Sequence, residues 1–237
     1  MHQTDAEHAR LTSLPPIEDE DLALALPYAP ADRRARLAAL FALIHEIRRI
    51  PASVSEPPLG EIRLQWWREA ADEVCAGGAV RAHPVPQALA ATGGLDEAER
   101  RVVEGLIDAR AQILYEPAFT DVDALTAFVE AAEAPFAALA LGEADTGVRA
   151  AAHEAARAYG LARFAPVFAA PVAQEAARQS GAALDRAAPV LAGAGPVLLA
   201  PVLWTALARG YARRTDGRAW PVVKRLALFR AALTGKV

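Results

Sequence analysis

Cysteine is nearly missing from this chain: Cys75 is the single one in 237 residues. One thiol excludes an internal disulfide framework and a cysteine-rich zinc site. Aromatic residues make up 6% of the chain. Runs in which Val, Ile, Thr or Tyr alternate with polar residues between turn signals do not occur, so strands are not expected. The opening MHQTDAEHAR lacks an apolar segment, which argues against a secretory signal, and it is not the Arg-rich, acid-poor pattern of a transit peptide. Acids are scarce in two further places. None lies between Glu154 and Glu175, and from Arg209 to Val237 the one acid, Asp216, faces eight Lys/Arg.

What is present is alanine and leucine in helical spacing, within a chain that is 54% apolar. A domain of this length buries roughly 70–75% of its unfolded surface and needs no staple. The expectation is an all-α helical domain over 17–237, preceded by a flexible tail over 1–16. Punctuation by Pro and Gly places helices near 18–27, 31–50, 58–76, 84–91, 95–115, 121–142, 147–165, 168–187, 196–214 and 220–234. In TDVDAL, Thr120 stands three residues before Asp123, a capping-box-like start. Residues Ala187–Ala208 are 22 uncharged positions, long enough for a span. Pro189, Gly193, Gly195 and Pro196 break their first half, which reads instead as a loop followed by a buried helix over 196–214, kinked at Pro201.

At about 100° per residue, Leu37, Leu40, Phe41, Ile44 and Ile47 form the inward stripe of the second helix, with Arg48 inside it. In the third, Leu59, Ile62, Trp66, Trp67, Ala70 and Val74 share a face, with Arg63 near its centre. Glu46, Glu61 and Arg68 point away. Buried guanidiniums need partners. Either each arginine snorkels or pairs with an acid such as Glu56 or Glu73, or both line a cavity and grip an anionic ligand with their planar forks.

The blocks YAPADRRARLAALFALIHEIRRI, SEPPLGEIRLQWWREA, HPVPQALAAT and LIDARAQILYEPAF resemble the squalene/phytoene synthase family, most specifically through GEIRLQWWRE. They are closest to the branch that includes proteins described as complex I assembly factors. The resemblance implies an all-α bundle of the isoprenoid synthase type with a central cavity. In catalytic members, two aspartate-rich motifs hold Mg²⁺ while two prenyl diphosphates are joined. Carried over by position, the first pair of aspartates falls on Arg48 and Arg49, and the following acids fall near Ala52 and Ser53. The second motif falls in AYGLARFAPVFAAPVAQ, which has no acid, and a further acid is replaced by Ile113. The resemblance therefore implies a family member that has lost both metal sites.

Glu69, Asp72 and Glu73 have metal-clamp spacing but sit on a solvated helix flank. The run from Glu18 to Asp21 reads as a helix start, where acids favour the positive dipole end. His2, His8, His45, His83 and His153 show no ligand spacing, and no nucleophile elbow or phosphate loop is present. Ala152, Ala156 and Gly160 form a small-residue face suited to close packing, with Arg163 near its continuation. In the last helix, Val222, Leu226, Phe229 and Leu233 make an apolar stripe flanked by Lys224, Arg225 and Arg230. That stripe either closes the bundle or docks on an anionic membrane surface or a partner.

The resulting expectation is a protein that acts by binding and is catalytically silent. Its cavity candidates are Arg48, Arg63, Glu56, Trp66, Tyr159 and Arg163, for a prenyl or lipid-like anionic ligand. Its docking candidates are Lys224, Arg225, Phe229 and Arg230, toward a respiratory-complex subunit or a membrane surface. No metal or cofactor is called for, and no nucleic-acid partner, because no basic stripe with interleaved aromatics runs through the body. The location expected is cytoplasmic, peripheral on the inner membrane face. The alternative is a prenyl-diphosphate transferase with a non-standard site, for which Mg²⁺ would be needed.

Overall fold

The structure, a computed structural model, describes residues 19–115, 119, 121–168, 170–213 and 221–235. No strand occurs among them. The chain is all-α, and its helices gather into two compact units, one ending at Leu114 and the other beginning at Tyr115. The expected tail and Thr120 lie outside the described residues.

The first unit holds α1 (Glu20–Ala25), α2 (Ala31–Ser53), α3 (Pro57–Ala76), α4 (Pro84–Ala91) and α5 (Glu97–Tyr115). Asp19 starts α1, its Oδ1 accepting from the N–H groups of Asp21 and Leu22 at 3.1 and 3.3 Å. The inward stripe of α2 falls where the periodicity places it, with Leu37, Leu40, Phe41, Ile44 and Ile47 each exposed by 2% or less. Arg36 ties the start of α2 to the turn before α5, donating to the Gly94 carbonyl at 2.7 Å and to Glu99 at 2.6 Å. Gly77, at φ 71°, caps α3 in the left-handed region that suits glycine.

Helix α3 differs from its expected register. The buried residues are Gly60, Leu64, Trp67, Ala70, Ala71 and Val74, so Trp67, Ala70 and Val74 keep their expected place while the seam as a whole is rotated by roughly 70°. Gly60 causes this shift: it packs so close to the Leu114 side chain that a Cβ there would overlap it. Leu59 and Ile62 consequently stay 46% and 66% exposed, and Arg63 is exposed rather than interior.

The second unit holds α6 (Val122–Ala132), α7 (Ala134–Leu141), α8 (Thr146–Phe164), α9 (Ala170–Ala194), α10 (Pro196–Leu199), α11 (Ala208–Ala212) and α12 (Pro221–Thr234). A 3₁₀ segment, Ala200–Leu207, joins α10 to α11. The single helix expected over 121–142 is divided at Glu133, because Pro135 cannot continue α6 but fits the first turn of α7. Asp121 caps α6, accepting from the Ala124 N–H at 2.8 Å. By length and composition the stretch Val122–Leu141 could cross a membrane, but 61% of its apolar window is buried inside the protein.

Helix α9 runs on past Pro189, where a loop was expected. Its buried stripe, Ala176, Ser180, Ala183, Leu184, Ala187 and Leu191, continues beyond the proline, which lies exposed. Side-chain burial on one face outweighs a lost hydrogen bond on the other. The 196–214 helix is instead short helices around the 3₁₀ segment, with a non-helical Val202 (φ −119°) just after Pro201.

Ala152, Ala156 and Gly160 are buried at close packing. A Cβ at Gly160 would sit 2.7 Å from Val129 Cγ1. Gly160→Leu is expected to lose about 1–3 kcal/mol through overpacking, measured by urea unfolding, with Val129→Ala restoring part of it.

Candidate functional site

The candidate site lies in the first unit. A cleft of about 450 Å³ is lined by Glu46, Arg49, Ile50 and Ser53 of α2, Ile62, Arg63, Trp66 and Trp67 of α3, and His83 at the start of α4. Its walls divide by chemistry. Ile50, Ile62 and the two indoles supply apolar surface, while the two guanidiniums outnumber the one carboxylate.

The polar groups of the cleft are held by neighbouring side chains of α2 and α3. Glu46 and Arg49 form an i, i+3 pair at 2.8 Å. Arg63 donates to Ser53 Oγ at 3.0 Å, and Ser53 donates onward to the Ile50 carbonyl at 3.0 Å. The chain Arg63–Ser53–Ile50 therefore ties α3 to the last turn of α2. Arg49 and Arg63 are both exposed, so their charge is available to an anion.

The aromatic floor is a cluster of three rings in mutual contact. The rings of Trp66, Trp67 and His83 meet edge-on with centroids 4.8 to 5.3 Å apart. His83 Nδ1 accepts from the Val85 N–H at 3.2 Å, which caps α4 and leaves the neutral ring's proton on Nε2. Arg81, in the turn after α3, stacks its guanidinium 4.6 Å from the Trp66 ring centroid. It donates to the Trp66 carbonyl at 2.9 Å and to Glu73 at 2.7 and 3.0 Å. Hydrogen bonds from the Arg81 side chain, and then from its backbone N–H, hold the Glu73 carboxyl below its ordinary range.

Of the six cavity candidates, Arg63 and Trp66 line this cleft. Arg48 does not. Its side chain, 9% exposed, meets Asp19 Oδ2 at 3.4 Å, so it pairs with a buried acid, one of the readings left open, though with neither Glu56 nor Glu73. Glu73 belongs to Arg81, and Glu56 is an exposed residue at the head of α3 that makes no side-chain cap. Tyr159 is fully buried in the second unit, edge-on to Trp204 at 4.8 Å. Arg163, exposed, donates to the Tyr159 hydroxyl at 3.1 Å. Arg49, Ser53, His83 and Arg81 were not singled out as ligand-binding. For His83 the signal was available in its place before Pro84, the cap position of a helix with proline at N1. The contacts of the other three depend on how α2, α3 and the turn after Gly77 fold together.

Glu69, Asp72 and Glu73 turn outward into ion pairs with Arg81 and Arg100. Among the described residues no group of three or more His, Cys, Asp or Glu is placed to hold a metal ion. Arg48 and Arg49, at the carried-over aspartate positions, are unfit as Mg²⁺ ligands because a guanidinium has no lone pair to offer.

The described residues thus form an all-α protein whose GEIRLQWWRE block builds an aromatic- and arginine-lined cleft. The family model for squalene/phytoene synthase matches residues 17–165, more than half of the chain, and the chain belongs to that family. No curated protein and no solved structure matches it.

Two outcomes are expected at this site. Asp19→Ala, which strips Arg48 of this carboxylate and α1 of its cap, should cost about 2–4 kcal/mol in chemical unfolding, whereas Asp19→Asn paired with Arg48→Met costs less. Because the folded pKa of Glu73 is depressed, its pairing contributes fully above the ordinary carboxylate pKa and is lost as pH falls through the lowered value. Acid titration should therefore change the Trp66 fluorescence only below the ordinary carboxylate range, and Glu73→Gln should show the acid-form spectrum already at pH 7.

Proposed function

We propose that this family member works by binding rather than by condensing prenyl diphosphates, and that the α2–α3 cleft receives a prenyl or lipid-like ligand with an anionic head. The observation that carries the reading is the pairing of Arg49 and Arg63 with Ile50, Ile62 and Trp66 around one space of about 450 Å³. A diphosphate or phosphate head satisfies both guanidiniums through charge-assisted bonds. The chain of the ligand covers Ile62, which is otherwise 66% exposed.

The loss of both aspartate-rich motifs is part of the same proposal. By position, Arg49 is a cation where the resemblance places a metal-binding acid, so it meets the anion directly instead of through Mg²⁺. Without a divalent ion the diphosphate leaving group loses its main stabilisation, which supports silence over turnover. The resemblance to the assembly-factor branch supports a respiratory-complex subunit as partner and a cytoplasmic, membrane-peripheral place of action.

The test is binding of farnesyl and geranylgeranyl diphosphate in EDTA and in Mg²⁺, followed by Trp fluorescence, with product analysis alongside. Metal-independent binding without product is expected, weakened about tenfold or more by Arg49→Ala or Arg63→Ala. Mg²⁺-dependent product formation would overturn the proposal in favour of a transferase with a non-standard site. Failure to bind under either condition would remove the ligand and leave a protein-interaction role.

A further inference from the structure

Helix α12 is amphipathic in an unusual sense. Its buried residues are Lys224, Leu228 and Ala231, and it packs against the 3₁₀ segment Ala200–Leu207. The opposite face is also apolar: Val222, Leu226, Phe229 and Leu233 are 61%, 62%, 54% and 70% exposed. At about 100° per residue these four fall within a 60° arc, and the buried face is centred roughly opposite. Arg225 and Arg230, both exposed, stand one on each side of the arc. Lys224, expected among the docking cations, is turned inward, its Nζ 5.6 Å from the Tyr211 ring centroid.

We infer that α12 is an in-plane anchor for an anionic lipid surface, its stripe sunk to the acyl boundary and its two arginines level with the headgroup phosphates. Three features select this occupant. The cations flank a narrow, straight apolar row on both sides, which matches a planar layer of phosphates above hydrocarbon. The segment Arg209–Val237 adds further positive charge against one acid, complementary to anionic lipid. A second copy of α12 is disfavoured because the helix has no acidic residue, so stacking two stripes sets arginine against arginine without a counter-charge. The anchor uses no residue of the α2–α3 cleft, so it stands or falls independently of the ligand proposal.

The experiment is flotation of the full chain with vesicles of phosphatidylcholine alone and with 30% phosphatidylglycerol. Binding is expected to the anionic vesicles, weaker by about tenfold or more on neutral vesicles or in high salt. Leu226→Ser with Phe229→Ser should abolish it, and Arg225→Gln with Arg230→Gln should weaken it by about tenfold or more. Both pairs are exposed, so unchanged circular dichroism and melting verify folding. No binding to anionic vesicles, or binding indifferent to these variants, would overturn the inference. So would a dimer in solution that the Leu226/Phe229 variant dissolves, which would assign the stripe to a second copy.

Discussion

A guanidinium inside a helical bundle must bring its counter-charge with it, and in the first unit that constraint is met by Arg48 and Asp19. Both side chains are under a tenth exposed. The same carboxylate caps α1, so one acid fixes both where the first helix starts and where the charge on α2 is neutralised. With Arg48 engaged there, α2 can present its next arginine outward. Arg49 leans on Glu46 and faces the cleft, and the two neighbouring cations acquire different roles.

The cleft follows from a choice of seam on α3. Gly60 lets the helix approach α5 closely, so Leu64, Trp67, Ala71 and Val74 fill the interior. Ile62, Arg63 and Trp66 are thereby turned to the cleft, where Arg81 and His83 hold the indoles. The apolar and cationic groups that a bundle normally segregates thus meet on one wall. That mixture suits an amphiphile with an anionic head.

The second unit solves a different packing problem with small residues. Alanine and Gly160 on α8 admit Val129 at near-contact distance, and Tyr159, Trp204 and Tyr211 build an edge-on aromatic core. Helix α12 lies against this unit by its Leu228 face and keeps a second apolar face outside. Lys224 shows how burial redistributes charge on one helix: its ammonium lies over the Tyr211 ring, while Arg225 and Arg230 remain free to act on the surroundings.

The local code alone determined the helical class, the boundaries of α4 and α12 to within a residue, and the α2 stripe, because the 3.6-residue period and the Pro and Gly stops are properties of the chain itself. The signature block was enough to point to the family. Periodicity could not choose the seam of α3, since Leu59, Ile62 and Trp66 are as apolar as the residues that won, and the contact between Gly60 and Leu114 joins positions 54 apart in sequence. For the same reason the partner of Arg48 was left open between an acid and a cavity ligand, Pro189 was read as a stop, and Lys224 was placed among the docking cations. Which of two apolar faces is buried, and which acid meets which cation, are decided by long-range packing, whose free energy no local window contains.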